Sequence, residues 1–177
     1  MKTHFESGAG AQGADAIRAE RARGQRDFSG RRAPGGDFSG ADWTDCDFSG
    51  ADLRGASFRG ARLERACLAE AMAEGADFSQ ANLAGADLGL AVLGLALMEK
   101  ANLRGANLQR ANLVGVRARG ADFSQAQLYY SRTGSGDFRD CDFSGADIQR
   151  SIFRAADLRG ARLESAKGEA NFDRAQR

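Results

Sequence analysis

Large hydrophobic residues recur at every fifth position along most of the chain. From Phe38 to Leu163 this register continues without insertion or deletion, which makes 26 consecutive pentapeptides. Phe, Leu, Ile, Met or Trp occupies 23 of the 26 central positions, and Ala stands two residues before the centre in 19 of them. The residue in between is mostly Asp or Asn, as in Ala51-Asp52-Leu53. The chain is therefore a tandem repeat with a period of five residues.

A five-residue period fits neither of the common secondary structures. In an α-helix successive centres would rotate by about 140° and spread around the axis, and a β-strand alternates with a period of two. Three extended residues pointing in, out and in, followed by a two-residue corner, do fit the unit. One such unit buries nothing alone, so the pattern predicts stacked coils joined by parallel ladders about 4.8 Å apart. Periodic glycines such as Gly40 and Gly60 then mark corners, where φ can be positive.

The repeat resembles that of the pentapeptide-repeat family, whose consensus is A(D/N)LXX. The segments that match it are ADLRG at 51–55, ANLAG at 81–85, ANLRG at 101–105 and ADLRG at 156–160. The resemblance implies an all-β fold, a right-handed quadrilateral parallel β-helix with four pentapeptides per coil. Residues 20 positions apart would then stack, and the large central side chains would fill the interior.

The repeat also divides the chain into three segments. We predict an N-terminal tail or capping helix, a β-helix and a C-terminal cap or tail, at 1–26, 27–166 and 167–177. Helix formers are frequent from Ala14 to Arg23, so a short helical cap carrying Ile17 and a disordered tail stay open as alternatives. Near the C-terminus, Asn171 and Phe172 repeat the motif one residue out of phase, which indicates a slipped final unit or a plug over the last coil.

Composition excludes most catalytic and membrane functions. The chain has one His, His4, and three Cys (Cys46, Cys67 and Cys141) without short spacing, so neither a zinc cluster nor a Cys/His nucleophile is indicated. We expect no enzymatic activity, no cofactor and no metal site. The weakly polar stretch from Leu88 to Met98 is too short for a membrane span, and the first residues lack an apolar signal segment. The sequence thus predicts a soluble, cytoplasmic protein with no membrane partner.

Charge bears on the best-known activity in this family. Quinolone-resistance pentapeptide proteins resemble duplex DNA in shape and negative charge and bind DNA gyrase in its place. Here the net charge is +1, and the corner positions of the 26 units hold seven acids against eleven Lys or Arg. Eleven Asp residues do occupy the outward slot, but a short acid there can accept a hydrogen bond from a corner N–H group. A DNA-mimic regulator of gyrase is therefore the alternative hypothesis and not the favoured one.

One side of the predicted β-helix carries unusually apolar outward residues. This is the side whose interior holds Leu53, Leu93 and Leu113. The predicted interaction residues on this side and its flanks are Met72, Leu90, Val92, Leu95, Leu97 and Val114. A contiguous exposed apolar area is unusual on a soluble monomer, although loose selection on a long repeat surface would also produce one. We favour a non-catalytic scaffold or adaptor that binds an unidentified protein partner, or a second copy of itself, through these residues.

Two other groups are candidate secondary contacts. Four arginines share a corner column on the next side: Arg59, Arg119, Arg139 and Arg159. Such a stripe could follow phosphates, but it lacks interleaved aromatic residues and lies near several Asp residues. A solvated, partly ion-paired surface is favoured, and nucleic-acid binding is not expected. Tyr129 and Tyr130 form a small aromatic corner on a third side.

Overall fold

A computed structural model describes residues 7–177, and from residue 27 onward the chain coils as a right-handed quadrilateral β-helix. Each side contributes one bridged residue to a parallel ladder, and the bridges join residues 20 positions apart, from Asp27–Asp47 to Asp147–Lys167. No side in this described part extends into a longer strand. At about 4.8 Å per coil, the rod is about 36 Å long. The stacked coils predicted from the five-residue period and the fold class implied by the family resemblance are both confirmed.

The backbone of each unit is hydrogen-bonded to the coils on both sides. The N–H of Leu103 donates to Asp122 O in the next coil at 2.7 Å, and the N–H of Asn102 donates to the previous coil at 3.0 Å. The corner closes through the N–H of Ala106, which donates to Leu103 O at 3.0 Å. Repetition of this set satisfies the backbone of a side that is only three residues long.

The second corner residue of each unit has a left-handed backbone. Its φ is 65° at Gly105, where the absence of a Cβ makes that conformation easy. Non-glycine residues nevertheless adopt it at 16 of the described positions. Since each costs about 1–2 kcal/mol in that conformation, the ladders and not the glycines alone hold the corners.

The interior is filled by the central side chains together with the small inward residues. Phe38, Phe58 and Phe78 stack with ring centroids 4.8 and 5.2 Å apart near the N-terminal end. Phe123 and Phe143 stack at 5.0 Å towards the other end. Leucines and one methionine fill the middle coils between these aromatic blocks, with the central side chains fully buried. The lumen is a packed core and not a channel.

A single helix, α1 (Ser7–Ala22), closes the N-terminal end of the rod. Its Ile17 and Ala14 are fully buried against the first coil. Of the two alternatives for this segment, the structure has the helical cap. Residues 1–6, including His4, lie outside the described residues. Within residues 7–177, no helix combines the length and hydrophobicity needed to cross a membrane.

Two glycines let α1 approach the coil closely. A Cβ on Gly13 would lie 2.5 Å from Arg32 O, and a Cβ on Gly36 would lie 2.8 Å from the Ala14 Cβ. Both distances are too short for real atoms. The helix can therefore seat Ile17 in the open coil only because both positions lack a side chain.

The C-terminal end continues the coil with a shifted register. Ile152 bridges Asn171, and Asp157 bridges Gln176, so each partner lies one position earlier than the regular spacing would place it. Phe172 stacks on Phe153 with centroids 5.3 Å apart. The out-of-phase motif is thus a slipped final unit. The coil extends past residue 166, where the sequence had placed the start of a cap or tail.

Candidate protein-interaction face

The six predicted interaction residues are contiguous across three successive coils, and we call them the apolar face: Met72, Leu90, Val92, Leu95, Leu97 and Val114. Met72 and Val92 are bridged to each other. The N–H of Leu95 donates to Val114 O in the next coil at 3.0 Å. Leu90, Val92, Leu95 and Leu97 follow one another around a single coil. The coiling therefore brings the predicted residues together, while their binding role stays a prediction.

The apolar face is substantially exposed. Leu95 is 62% exposed and Leu90 47%, and Met72, Val92 and Val114 are between 37 and 42% exposed. Leu97 lies around the next corner, between Asp77 and Arg117, and is less exposed than the other five because it is half-buried. Five large apolar side chains thus meet water on neighbouring coils, which is the pattern of a surface that a partner covers.

Leu90 and Leu95 also hold strained backbone conformations. Both have a φ of 60°, in the left-handed region where bulky residues are rare. Each costs about 1–2 kcal/mol that glycine at the same corner would avoid. Gly115 makes room for one of them, because a Cβ there would lie 2.9 Å from Leu95 Cδ2. Hydrogen bonds to the next coil impose this conformation at both corners, but nothing inside the rod requires an exposed apolar side chain there.

Charges of opposite sign border the apolar face along the rod. The preceding coil exposes Glu70 and Glu74, and the following coil exposes Arg110. Glu70, Leu90 and Arg110 occupy one corner column and line one open groove. In the described part of the chain, neither the two acids nor Arg110 forms an ion pair. Leu90 lies between the acid and the base of this column, so they do not neutralise each other.

The tyrosine pair borders the apolar face. Tyr130 has a φ of 58° and continues the corner column of Leu90 and Arg110. The two tyrosines line a groove with those residues, and the Tyr129 and Tyr130 rings meet edge-on at 4.5 Å. The Arg150 guanidinium lies 5.2 Å from the Tyr130 ring centroid and donates to its hydroxyl. The tyrosines lie at a corner of the third side, as the sequence indicated, and this corner also borders the side of the apolar face.

The arginine column is largely neutralised by carboxylates of its own rod. The pairs are Arg119–Asp140 at 3.0 Å, Arg139–Asp137 at 2.6 Å and Arg159–Asp157 at 2.6 Å. The bond from Arg159 lowers the pKa of Asp157 to about 2. Arg59 is exposed and forms no ion pair with any residue that the structure describes. Three of the four arginines are therefore ion-paired within the rod, and the expectation that the column does not bind nucleic acid stays a prediction.

The outward carboxylates accept hydrogen bonds from N–H groups at the corners. Asp122 Oδ1 accepts a hydrogen bond from the N–H of Ser124 at 2.8 Å, and Asp142 Oδ1 accepts one from Ser144 at the same distance. The hydroxyl and N–H of Ser144 together hold the pKa of Asp142 below its ordinary value. The same contact recurs at Asn102, which accepts from Arg104 at 3.0 Å. These acids are parts of the repeat, as the sequence indicated, and Asn performs the same task without a charge.

The cysteines offer no reactive thiol. Cys46 and Cys141 are buried, Cys67 is half-buried, and all three are unpaired. Burial raises the pKa of Cys141 to about 12 and raises that of Cys46 and Cys67 as well. Between residues 7 and 177, His, Cys, Asp and Glu side chains form no cluster suited to a metal ion.

Comparison with known proteins identifies the same repeat. A family model described as pentapeptide repeats matches eight copies, at residues 37–69, 68–93, 96–131 and 137–167. The chain is similar to the trypsin-treated structure of QnrB1, a plasmid-mediated fluoroquinolone resistance protein, with 25% identity over 85% of this chain and 76% of that one and a TM-score of 0.57. It is also similar to a pentapeptide repeat protein of the Arabidopsis thaliana thylakoid lumen, with 31% identity over 60% of this chain and 70% of that one and a TM-score of 0.46. Comparison with curated protein sequences gives no match.

Proposed function

Since the chain belongs to the pentapeptide repeat family, we propose that it is a non-catalytic interaction scaffold that binds a protein through its apolar face. The observation that carries this proposal is the pair Leu90 and Leu95, which are exposed, apolar and strained at corners where glycine would be relaxed. A partner that covers these two side chains removes their apolar surface from water, which the isolated rod cannot do. Full burial of such a side chain is worth about 1.5–3 kcal/mol, and roughly half of that area is still exposed here.

The rod suits this task because its surface is already ordered. The corners of the apolar face are fixed by hydrogen bonds to the next coil, from Leu90 N–H to Gln109 O and from Leu95 N–H to Val114 O. Binding therefore requires no ordering of a loop, and the entropic penalty of association is correspondingly small. The half-buried Leu97 and the edge of Tyr130 widen the same surface around both corners.

Affinity capture from cells that naturally contain the protein tests the proposal. The variant Val92→Asp with Leu95→Asp places two charges on the apolar face. A matched control, Gln80→Asp with Gln125→Asp, adds the same two charges at exposed left-handed corner residues elsewhere. We expect a protein retained by the wild type and the control to be lost from the face variant. Identical captures by all three would contradict the proposal.

A second candidate function is regulation of DNA gyrase by DNA mimicry. The likeness to QnrB1 favours it, since that protein is described as a fluoroquinolone resistance protein. The surface charge opposes it, because the corners hold seven acids against eleven Lys or Arg, whereas a duplex mimic needs an acidic surface. A supercoiling assay with purified gyrase separates the candidates. We expect neither inhibition nor protection from a quinolone at near-stoichiometric protein, and either effect would favour the second candidate.

A further inference from the structure

Two of the charges that border the apolar face, Glu70 and Arg110, match each other when a second rod is inverted. Along one corner column the order is acid, apolar, base, given by Glu70, Leu90 and Arg110. Glu70 and Arg110 lie one coil away from Leu90 on either side and carry opposite charges. A surface with that property is complementary to a copy of itself turned end for end.

We propose that two copies of this chain pack side by side and antiparallel through the apolar face, around a two-fold axis that passes beside Val92. This inference rests on the proposed function and names a second copy as the partner. The axis lies in the interface and perpendicular to the rod, so each corner column meets the same column of the other copy. Leu90 then faces Leu90, and Leu95 faces Leu95. Glu70 faces Arg110 of the second copy, and the pair occurs twice.

The parallel arrangement of the same two faces is disfavoured by charge. With the axis along the rods, opposite corners of the same coil would meet. Glu70 would then face Glu74 of the second copy, twice, and Arg150 would face Arg154. Like charges opposed across an interface suppress that register, whereas the antiparallel register pairs Glu70 with Arg110 and no longer opposes Glu74 to an acid.

The charges concerned are available for this contact. Glu70, Glu74 and Arg110 are exposed and form no ion pair among residues 7–177, although fifteen ion pairs occur in that part of the chain. Glu70 and Arg110 lie two coils apart, with Leu90 between them, so an antiparallel copy supplies the partner that the rod itself does not. Leu90 and Leu95, the strained residues, lie at the two corners of the interface, next to the axis.

Sedimentation equilibrium of the full chain tests the proposal. We expect the wild type to have about twice the monomer mass of 18.8 kDa at micromolar concentration. Glu70→Arg opposes two arginines at each of two contacts and should weaken the dimer about tenfold or more. Arg110→Glu should weaken it similarly. The double variant Glu70→Arg with Arg110→Glu reverses both charges and should restore the wild-type dissociation constant.

Each outcome decides between the alternatives. A tighter dimer of Glu70→Arg would overturn the antiparallel register in favour of the parallel one, and a dimer indifferent to both single reversals would overturn the assigned interface. A wild type that stays monomeric at 100 μM would overturn the inference altogether. In that case the capture experiment still decides the proposed function, because a partner lost only from Val92→Asp with Leu95→Asp would show a different protein on the same face. Circular dichroism of each variant confirms that the rod is intact.

Discussion

The apolar face and the arginine column lie on adjacent sides of one rod and both include corner residues, yet their side chains differ in the partners that the rod gives them. Two arginines of the column have an acid two residues earlier in their own unit. Arg139 and Arg159 both use it, reaching Asp137 and Asp157 at 2.6 Å. Leu95 has no such local partner and stays 62% exposed.

On the surface of a repeat protein, charged and apolar corner residues therefore differ in what they indicate about a partner. Acids of the rod form ion pairs with several of the basic corner residues, so the excess of arginine there overstates the charge available to a ligand. Apolar corner residues receive no compensation from the repeat. An apolar cluster is therefore the more informative sign of a partner.

The largest expected effect comes from a substitution in the interior, on which both sides pack. Leu103 is fully buried in the middle of the rod, and Leu103→Ala should lower the free energy of unfolding by about 2–5 kcal/mol, because the stacked coils cannot collapse into the cavity. Urea denaturation of the variant and the wild type measures the loss. Arg104→Ala, at the exposed neighbouring corner, is the control. A loss below about 1 kcal/mol would mean that the interior is less rigid than its packing indicates.

A smaller change should separate stability from binding on the apolar face. Leu95→Gly relieves the left-handed strain and should raise the free energy of unfolding of the monomer by about 1 kcal/mol. The same change removes the most exposed apolar side chain, so binding to the partner or second copy should weaken. Urea denaturation at a concentration where the protein is monomeric measures the first effect, and sedimentation measures the second. Lower stability combined with unchanged association would contradict the role assigned to Leu95.

The smallest effect concerns the arginine column and its pH dependence. The folded-state pKa of Asp157 is about 2, below that of an unfolded Asp, so its contribution is complete above about pH 4 and is lost as the pH falls towards 2. Asp157→Asn should flatten part of that decline in the urea midpoint. The contact is exposed, so the change should be small. Leu95→Asn is the matched control and should leave the slope of the decline unchanged. An equal decline in the wild type and Asp157→Asn would mean that the Arg159–Asp157 pair contributes nothing to stability at low pH.

Much of the fold could be predicted because inward and outward directions are local properties of a five-residue unit. The interior positions of Leu53, Leu93 and Leu113 follow from the register alone, and so does the corner role of the outward Asp residues. The slipped spacing between Ile152 and Asn171 was visible as a motif out of phase. The choice of a helix for the N-terminus was not, since it depends on Ile17 docking on a coil that must form first.

The candidate face was only partly accessible to the same reasoning. Its residues could be named from the repeat, but their strain could not, because φ at Leu90 and Leu95 is imposed by hydrogen bonds to the neighbouring coils. The grouping of Tyr130 with Leu90 was missed for a similar reason. A corner belongs to two sides, and the groove joining them exists only once the coils are stacked.

The amino-acid sequence by itself determined the period, the side chains that enter the core and the residues that turn each corner, because each depends on neighbours within one unit. The tertiary structure alone decided which charges find partners in a neighbouring coil. Arg119 reaches Asp140 in the next coil, while Glu70 and Arg110 stay apart on either side of Leu90. Ion pairing requires atoms within a few ångströms, and only the stacking of one coil on the next sets those distances.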